Sequence, residues 1–173
     1  MSLNIYGLRI RHGQHYDQNY APVASWNSTR TLLIISVLNK YHTRQNEFFL
    51  AFTQAPVESK IRMDIPEVFQ IKDGNTKDDV LKLHMKIYSQ KQAGWVWNTY
   101  LTYILINKVG FKQSKVYKCI FYRGNVMFVL YTDDSILAGP DPKYIGHAIK
   151  DIKYDKLNIT DKWYIQDFLG GKH

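Results

Sequence analysis

Apolar positions recur at helical spacing in three stretches of the chain, with strand-like runs between them. Asn27 or Ser28 is placed to cap a helix through Leu32, Leu33, Ile34, Ile35, Val37 and Leu38 to about Tyr41, apolar on most sides and so expected to be buried. Residues 92–109 carry Trp95, Tyr100, Leu101, Ile104 and Leu105 at helical spacing, with Gly110 positioned to end the helix. Tyr144, Ile145, Ala148, Ile149 and Ile152 predict a further, amphipathic helix.

Strand signals fill the intervals. Phe48 to Phe52 reads as a short strand, and Val57, Ile61, Met63 and Ile65 alternate with charged residues between Pro56 and Pro66, which suits an edge hairpin closed by a turn at Asp73-Gly74. Val80 to Leu83 reads as another strand. Three more follow in quick succession, Val116 to Tyr122, Val126 to Thr132 and Ser135 to Ala138, with turns at Gly124-Asn125 and Asp133-Asp134. A last hairpin is expected around Asp161, ending at Phe168 and Leu169. The first 19 residues show little periodicity and read as an extended lead-in. This order predicts one α+β domain over residues 1–173, an antiparallel sheet with helices packed on one face.

Composition adds a bias. Apolar residues make up 45% and charged residues 22%, an ordinary globular balance, but 13 tyrosines and 4 tryptophans are more aromatic side chains than most domains carry. The formal charge is +8, and its distribution is uneven. Between Asp79 and Asp133 no acidic residue occurs, while Lys82, Lys86, Lys91, Lys112 and Lys115 fall there among Tyr88, Trp97, Tyr100 and Tyr117. Lysines neutralise phosphates and rings stack on bases, so the mixture suits a nucleic-acid surface; a solvated lysine face over an aromatic core accounts for it equally well.

Other chemistries find less support. Cys119 is the sole cysteine, which excludes an internal disulfide and a zinc cluster built on cysteines, and places the chain naturally in a reducing compartment. The apolar runs are too short to span a bilayer and the start lacks a secretory pattern, so an intracellular, cytoplasmic protein is expected. The histidines form no metal-binding helical pair, and the glycine pair Gly170-Gly171 is followed by no helix to receive a phosphate.

The sharpest local feature is Tyr131-Thr132-Asp133-Asp134 at the tip of an apolar hairpin. Adjacent carboxylates repel unless a cation compensates, and Mg²⁺ takes such oxygen ligands while sharing itself with substrate phosphates. A third carboxylate from another strand is needed to hold two metals roughly 3.5–4 Å apart, and Glu47 is the candidate. Aspartates also simply make good turns, and the pair alone does not separate these readings.

The flanks of this tetrapeptide carry a resemblance. Tyr131-Thr132-Asp133-Asp134 resembles the aromatic-x-Asp-Asp motif of reverse transcriptases, and its surroundings resemble those of copia-type long-terminal-repeat retrotransposons, from about Tyr16 to Gly170. Tyr20-Ala21-Pro22-Val23 with Thr29, Arg30, Leu32 and Leu33 looks like the family's Ala-Pro-Val signature and first helix; Gln45 to Phe52 looks like the strand bearing its first catalytic carboxylate. Tyr88, Lys91, Gln92, Ala93 and Trp97 match its Tyr-Gly-Leu-Lys-Gln pattern with serine and glutamine at 89 and 90, and Phe168-Leu169-Gly170 closes the segment.

The resemblance implies a fingers-and-palm fold that ends before a thumb, acting as an RNA-directed DNA polymerase with Mg²⁺ or Mn²⁺, an RNA template, a DNA primer and deoxynucleoside triphosphates. It implies that Asp133, Asp134 and Glu47 are the catalytic and metal-binding carboxylates. Phe52 corresponds to the ring that blocks a 2′-hydroxyl and Gln92 to the glutamine that supports the incoming nucleotide; Tyr131 and Thr132 are nucleotide-binding with them, Thr132 near the primer end. The chain departs from the family where glutamate stands at 47 in place of aspartate, and a misplacement of about 1 Å costs about a hundredfold in rate. Trp95 replaces a basic residue, and Arg9, Arg11, Gly13 and Gln14 look like a shortened fingers strand. A catalytically degenerate remnant that still binds nucleic acid is therefore the alternative to an active polymerase, and a plain interaction domain is the third reading.

Overall fold

A computed structural model describes residues 20–56, 62–64, 80–82, 92–162, 167–168 and 171–172, with side chains for 20–56 and 92–162. In chain order the elements are α1 (Trp26–Leu38), β1 (His42–Phe48), α2 (Ala51–Gln54), β2 (Arg62–Asp64), β3 (Val80–Lys82), α3 (Ala93–Asn107), β4 (Lys112–Gln113), β5 (Ile120–Arg123), β6 (Val126–Tyr131), β7 (Asp134–Gly139), α4 (Pro142–Tyr154), β8 (Ile159–Asp161), β9 (Asp167–Phe168) and β10 (Gly171–Lys172). Six strands form one antiparallel sheet in the order β4-β5-β6-β7-β1-β8. The α+β class is therefore as expected.

The β5–β6–β7 meander explains why this sheet forms. Gly124 takes φ +56 in a two-residue loop that sets Arg123 opposite Val126, and the apolar β6 and β7 that follow are buried along most of their length. Pleating sends Phe121, Phe128, Leu130 and Leu137 to one face, where they meet Trp97, Leu101 and Leu105 of α3 and Ile145, Ile149 and Ile152 of α4. Edge-to-face ring pairs tie this layer together, Phe128 with Phe111 at 5.8 Å and with Phe121 at 6.0 Å. Asp141 caps α4 by accepting from the Lys143 N–H at 2.7 Å, with Pro142 in the first turn.

Several expectations are corrected. Helices do not pack on one face alone. Val129, Ile136 and Ala138 project to the opposite side, where they meet Ala24 and Leu32 beneath α1. Nor is α1 buried on most sides: only Thr29, Leu32 and Ser36 are buried, while Ile34, Val37 and Leu38 are 59%, 77% and 77% exposed. Its apolar residues lie all around the helix, and a single stripe at i, i+3, i+7 is what touches the sheet. Its cap is Ser25, whose hydroxyl accepts from the Ser28 N–H, rather than Asn27 or Ser28.

The strand expected at 48–52 instead ends at Phe48; Leu50 adopts φ +50 and residues 51–54 form a helical turn. The strand expected at 116–122 begins only at Ile120, because residues 115–119 are taken up largely by bends and turns. The Asp-Asp turn is shifted by one residue: Tyr131 faces Asp134, so Thr132 and Asp133 form the turn and Asp134 opens β7. Met63 lies on β2, which pairs with β3 rather than within residues 56–66; Asp73 and Gly74 fall outside the described residues. Among the described residues, those around Asp161 do not pair with Phe168: β8 joins the edge of the large sheet beside β1, and β9 pairs with β10. Gly110, with φ +83, follows the end of α3 as expected.

Candidate active site

The turn between β6 and β7 is held in an unfavourable shape. Thr132 has φ +51, a conformation that a β-branched residue rarely adopts and that costs about 1–3 kcal/mol when it does. Two hydrogen bonds from outside the hairpin fix it. The indole Nε1 of Trp97, on α3, donates to the Thr132 carbonyl at 2.7 Å, and the Phe48 N–H, at the end of β1, donates to the Asp133 carbonyl at 2.7 Å. Trp97 is itself buried against Phe48, ring centroids 5.3 Å apart. The chain before α1 adds support from Ala24, whose N–H donates to the Leu130 carbonyl at 3.0 Å, and Asn98 bonds the Pro22 carbonyl at 3.1 Å.

Register then assembles the acidic residues. Glu47 on β1 lies directly opposite Asp134 on β7, and Gln45 lies opposite Ile136. Side chains of an antiparallel pair that face each other share one side of the sheet, so Glu47, Asp134 and Gln45 emerge on the side that carries α1. The Gln45 amide reaches Asp134 Oδ1 at 3.5 Å. On the far edge of β1, the Lys162 N–H donates to the Gln45 carbonyl at 2.9 Å, and its side chain brings Nζ within 2.8 Å of Glu47 Oε2.

These neighbours set the charge state of Asp134. Burial pushes its carboxyl above the ordinary value; the Lys162 ammonium and the Gln45 hydrogen bond pull it down, and the negative charges of Asp133 and Glu47 push it up again. Hard carboxylate oxygens are the right donors for Mg²⁺ or Mn²⁺. The arrangement, however, is not a metal cage: among the described residues no three His, Cys, Asp or Glu side chains converge on one point, and Glu47 is turned to Lys162.

The remaining candidates are dispersed. Phe52 lies on α2 with its ring against the cluster that holds Phe48 and Trp97. Gln92 occupies the position before α3, buried, and its side chain makes no capping bond. Tyr131 packs half-buried beside Val129 and Ile136, on the side of the sheet that carries Asp134. Lys112 and Lys115 are exposed, and Lys112 lies three strands across and four residues along from Asp134, roughly 20 Å away. Lys86 and Lys91 fall outside the described residues, and of Lys82 only the backbone, in β3, is described. Lys162 and Gln45 are site residues that sequence reasoning missed. Nothing periodic marks Lys162, which reaches Glu47 from 115 residues later in the chain through a short edge strand.

Comparison with known proteins gives a consistent result. The family profile "Reverse transcriptase (RNA-dependent DNA polymerase)" matches residues 2–172. Similar proteins include the retrovirus-related Pol polyprotein from transposon RE2 of Arabidopsis thaliana, 29% identical over 98% of this chain and 12% of that protein. The Pol polyprotein from transposon TNT 1-94 of Nicotiana tabacum is 25% identical over 98% of this chain and 13% of its own length. The transposon Ty1-BL Gag-Pol polyprotein of Saccharomyces cerevisiae is 22% identical over 89% of this chain and 10% of its own length. The chain thus spans about an eighth or less of these relatives. No solved structure matches it.

Proposed function

The chain belongs to the reverse transcriptase (RNA-dependent DNA polymerase) family, in its copia-type branch, and from that premise we propose that it performs the nucleotidyl-transfer step of RNA-directed DNA synthesis for a retrotransposon polyprotein. The observation that carries this reading is the register that sets Glu47 opposite Asp134, one residue from the pinned Thr132-Asp133 turn. Carboxylates from β1, from β7 and from the turn between β6 and β7 thereby share one end of the sheet.

In this reading residues 1–173 are the fingers-and-palm part of the polymerase. Asp133, Asp134 and Glu47 are its acidic ligands, and bound divalent cations, Mg²⁺ or Mn²⁺, would supply the positive charge that two-metal phosphoryl transfer places on the attacking and leaving oxygens. The chain's own residues do the positioning. Trp97 and the Phe48 amide hold the turn so that Asp133 has one backbone orientation, and Gln45 orients Asp134. Tyr131 and Thr132 bind the nucleotide, Thr132 near the primer end, Phe52 excludes a ribose 2′-hydroxyl, and Gln92 supports the deoxynucleoside triphosphate. Lys82, Lys86, Lys91, Lys112 and Lys115 contact the phosphates of template and primer.

Primer extension on an RNA template by the purified chain, with Mg²⁺ or Mn²⁺, tests the assignment. Incorporation is expected in the parent and in Glu47→Asp, and its loss in Asp133→Asn. Equal incorporation by Asp133→Asn and the parent would sink it.

A further inference from the structure

The charge that compensates the acidic end of the sheet is the protein's own. Lys162 directly follows β8, and its N–H continues the β8–β1 ladder by bonding the Gln45 carbonyl at 2.9 Å. That extra rung commits its side chain to the side of the sheet where Glu47 and Asp134 emerge. There its Nζ lies 2.8 Å from Glu47 Oε2. A cation seated on Glu47, directly opposite Asp134, occupies the ground that a metal ion held by the Glu47 carboxylate would need.

We infer that Lys162 is a resident cation of this site, an ammonium that holds Glu47 in place of a divalent metal, so that metal binding is a displacement of Lys162 and this residue sets the metal affinity. The inference rests on the reading of Glu47, Asp133 and Asp134 as metal ligands. It explains why the three carboxylates do not converge: Glu47 is drawn toward β8 instead of toward the turn. Ammonium and divalent metal cannot share the Glu47 carboxylate without strong mutual repulsion, so the two states exclude each other.

The balance is open to change. The Lys162 and Glu47 side chains are 33% and 43% exposed, and a pair so solvated is held only weakly. A lysine on its flexible stem can leave toward solvent once a metal arrives. Lys162 is thus a residue that tunes metal affinity downward without abolishing it, and it leaves the metal-free chain with a compensated acidic end.

The test is Mn²⁺ binding by the full chain, followed by calorimetric titration, with thermal midpoints taken with and without Mn²⁺. Lys162→Met is expected to bind Mn²⁺ more tightly than the parent by about fivefold, the scale set by one exposed ion pair. Its midpoint is expected to rise with Mn²⁺ more than the parent's does. Lys162→Arg, which keeps the charge, is expected to stay near the parent, and Lys162→Gln repeats the Met comparison should that variant fold poorly. Mn²⁺ affinities equal in parent, Met and Gln variants would overturn the inference. A gain that persists when Asp133→Asn and Glu47→Gln are added to Lys162→Met would overturn the underlying reading of these carboxylates as the metal site, so the two failures are distinct.

Discussion

At the scale of single residues, Asp134 is held against its preference. Its carboxyl is raised chiefly by burial, so the native state binds its proton more tightly than the unfolded chain does. Stability linked to this group is therefore present below the ordinary carboxylate value of 3.8 and is lost as pH rises through the raised value. At neutral pH the ionised Asp134 burdens the fold. Asp134→Asn is expected to stabilise the chain at pH 7. Urea denaturation at pH 7 and near pH 3.5 checks this, with the advantage vanishing at the lower pH. A lower stability of the variant at pH 7 would show that the carboxylate is worth more to the fold than its burial costs. Cys119, buried and with its thiol pushed up by that burial, has the character of a packing residue.

At the scale of elements, local signals were read well where they recur within one element. The α3 helix is delimited by Gly110 at φ +83, where any other L residue is strained. No atom lies within 4 Å of a Cβ built there, so Gly110→Ala isolates the backbone cost. A loss of about 1 kcal/mol in chemical denaturation is expected, and an unchanged midpoint would mean that residues 108–110 do not anchor the helix end. α4 and the β5–β6 hairpin were equally legible, from a 3.6-residue apolar stripe and from Gly124-Asn125. α1 departs from expectation because its composition states how apolar it is and not which side meets the sheet. The strand expected at 48–52 failed for a related reason: Leu50 at φ +50 is a turn in a residue type that does not announce one.

For the molecule as a whole, charge and topology act together. Among the described residues no helix is long and apolar enough to cross a membrane. A formal charge of +8 favours association with phosphates. Binding of the chain to single-stranded nucleic acid is expected to weaken roughly twentyfold between about 50 and 200 mM salt, the slope for about three phosphate contacts. A flat salt profile would leave the lysines of residues 80–132 as a solvated face only.

The sequence by itself determined the family, the α+β class and the hairpin that carries Asp133 and Asp134, and it offered Glu47 as a candidate carboxylate from another strand. Those features are local periodicities or ordered matches along the chain. Only the tertiary structure decided that Glu47 stands opposite Asp134, that Trp97 pins Thr132, that α1 lies on the other side of the sheet from α3 and α4, and that Lys162 answers the acidic end. Each of these joins segments far apart in sequence. Strand order and register follow from the collective burial of both sheet faces, and no local pattern encodes that.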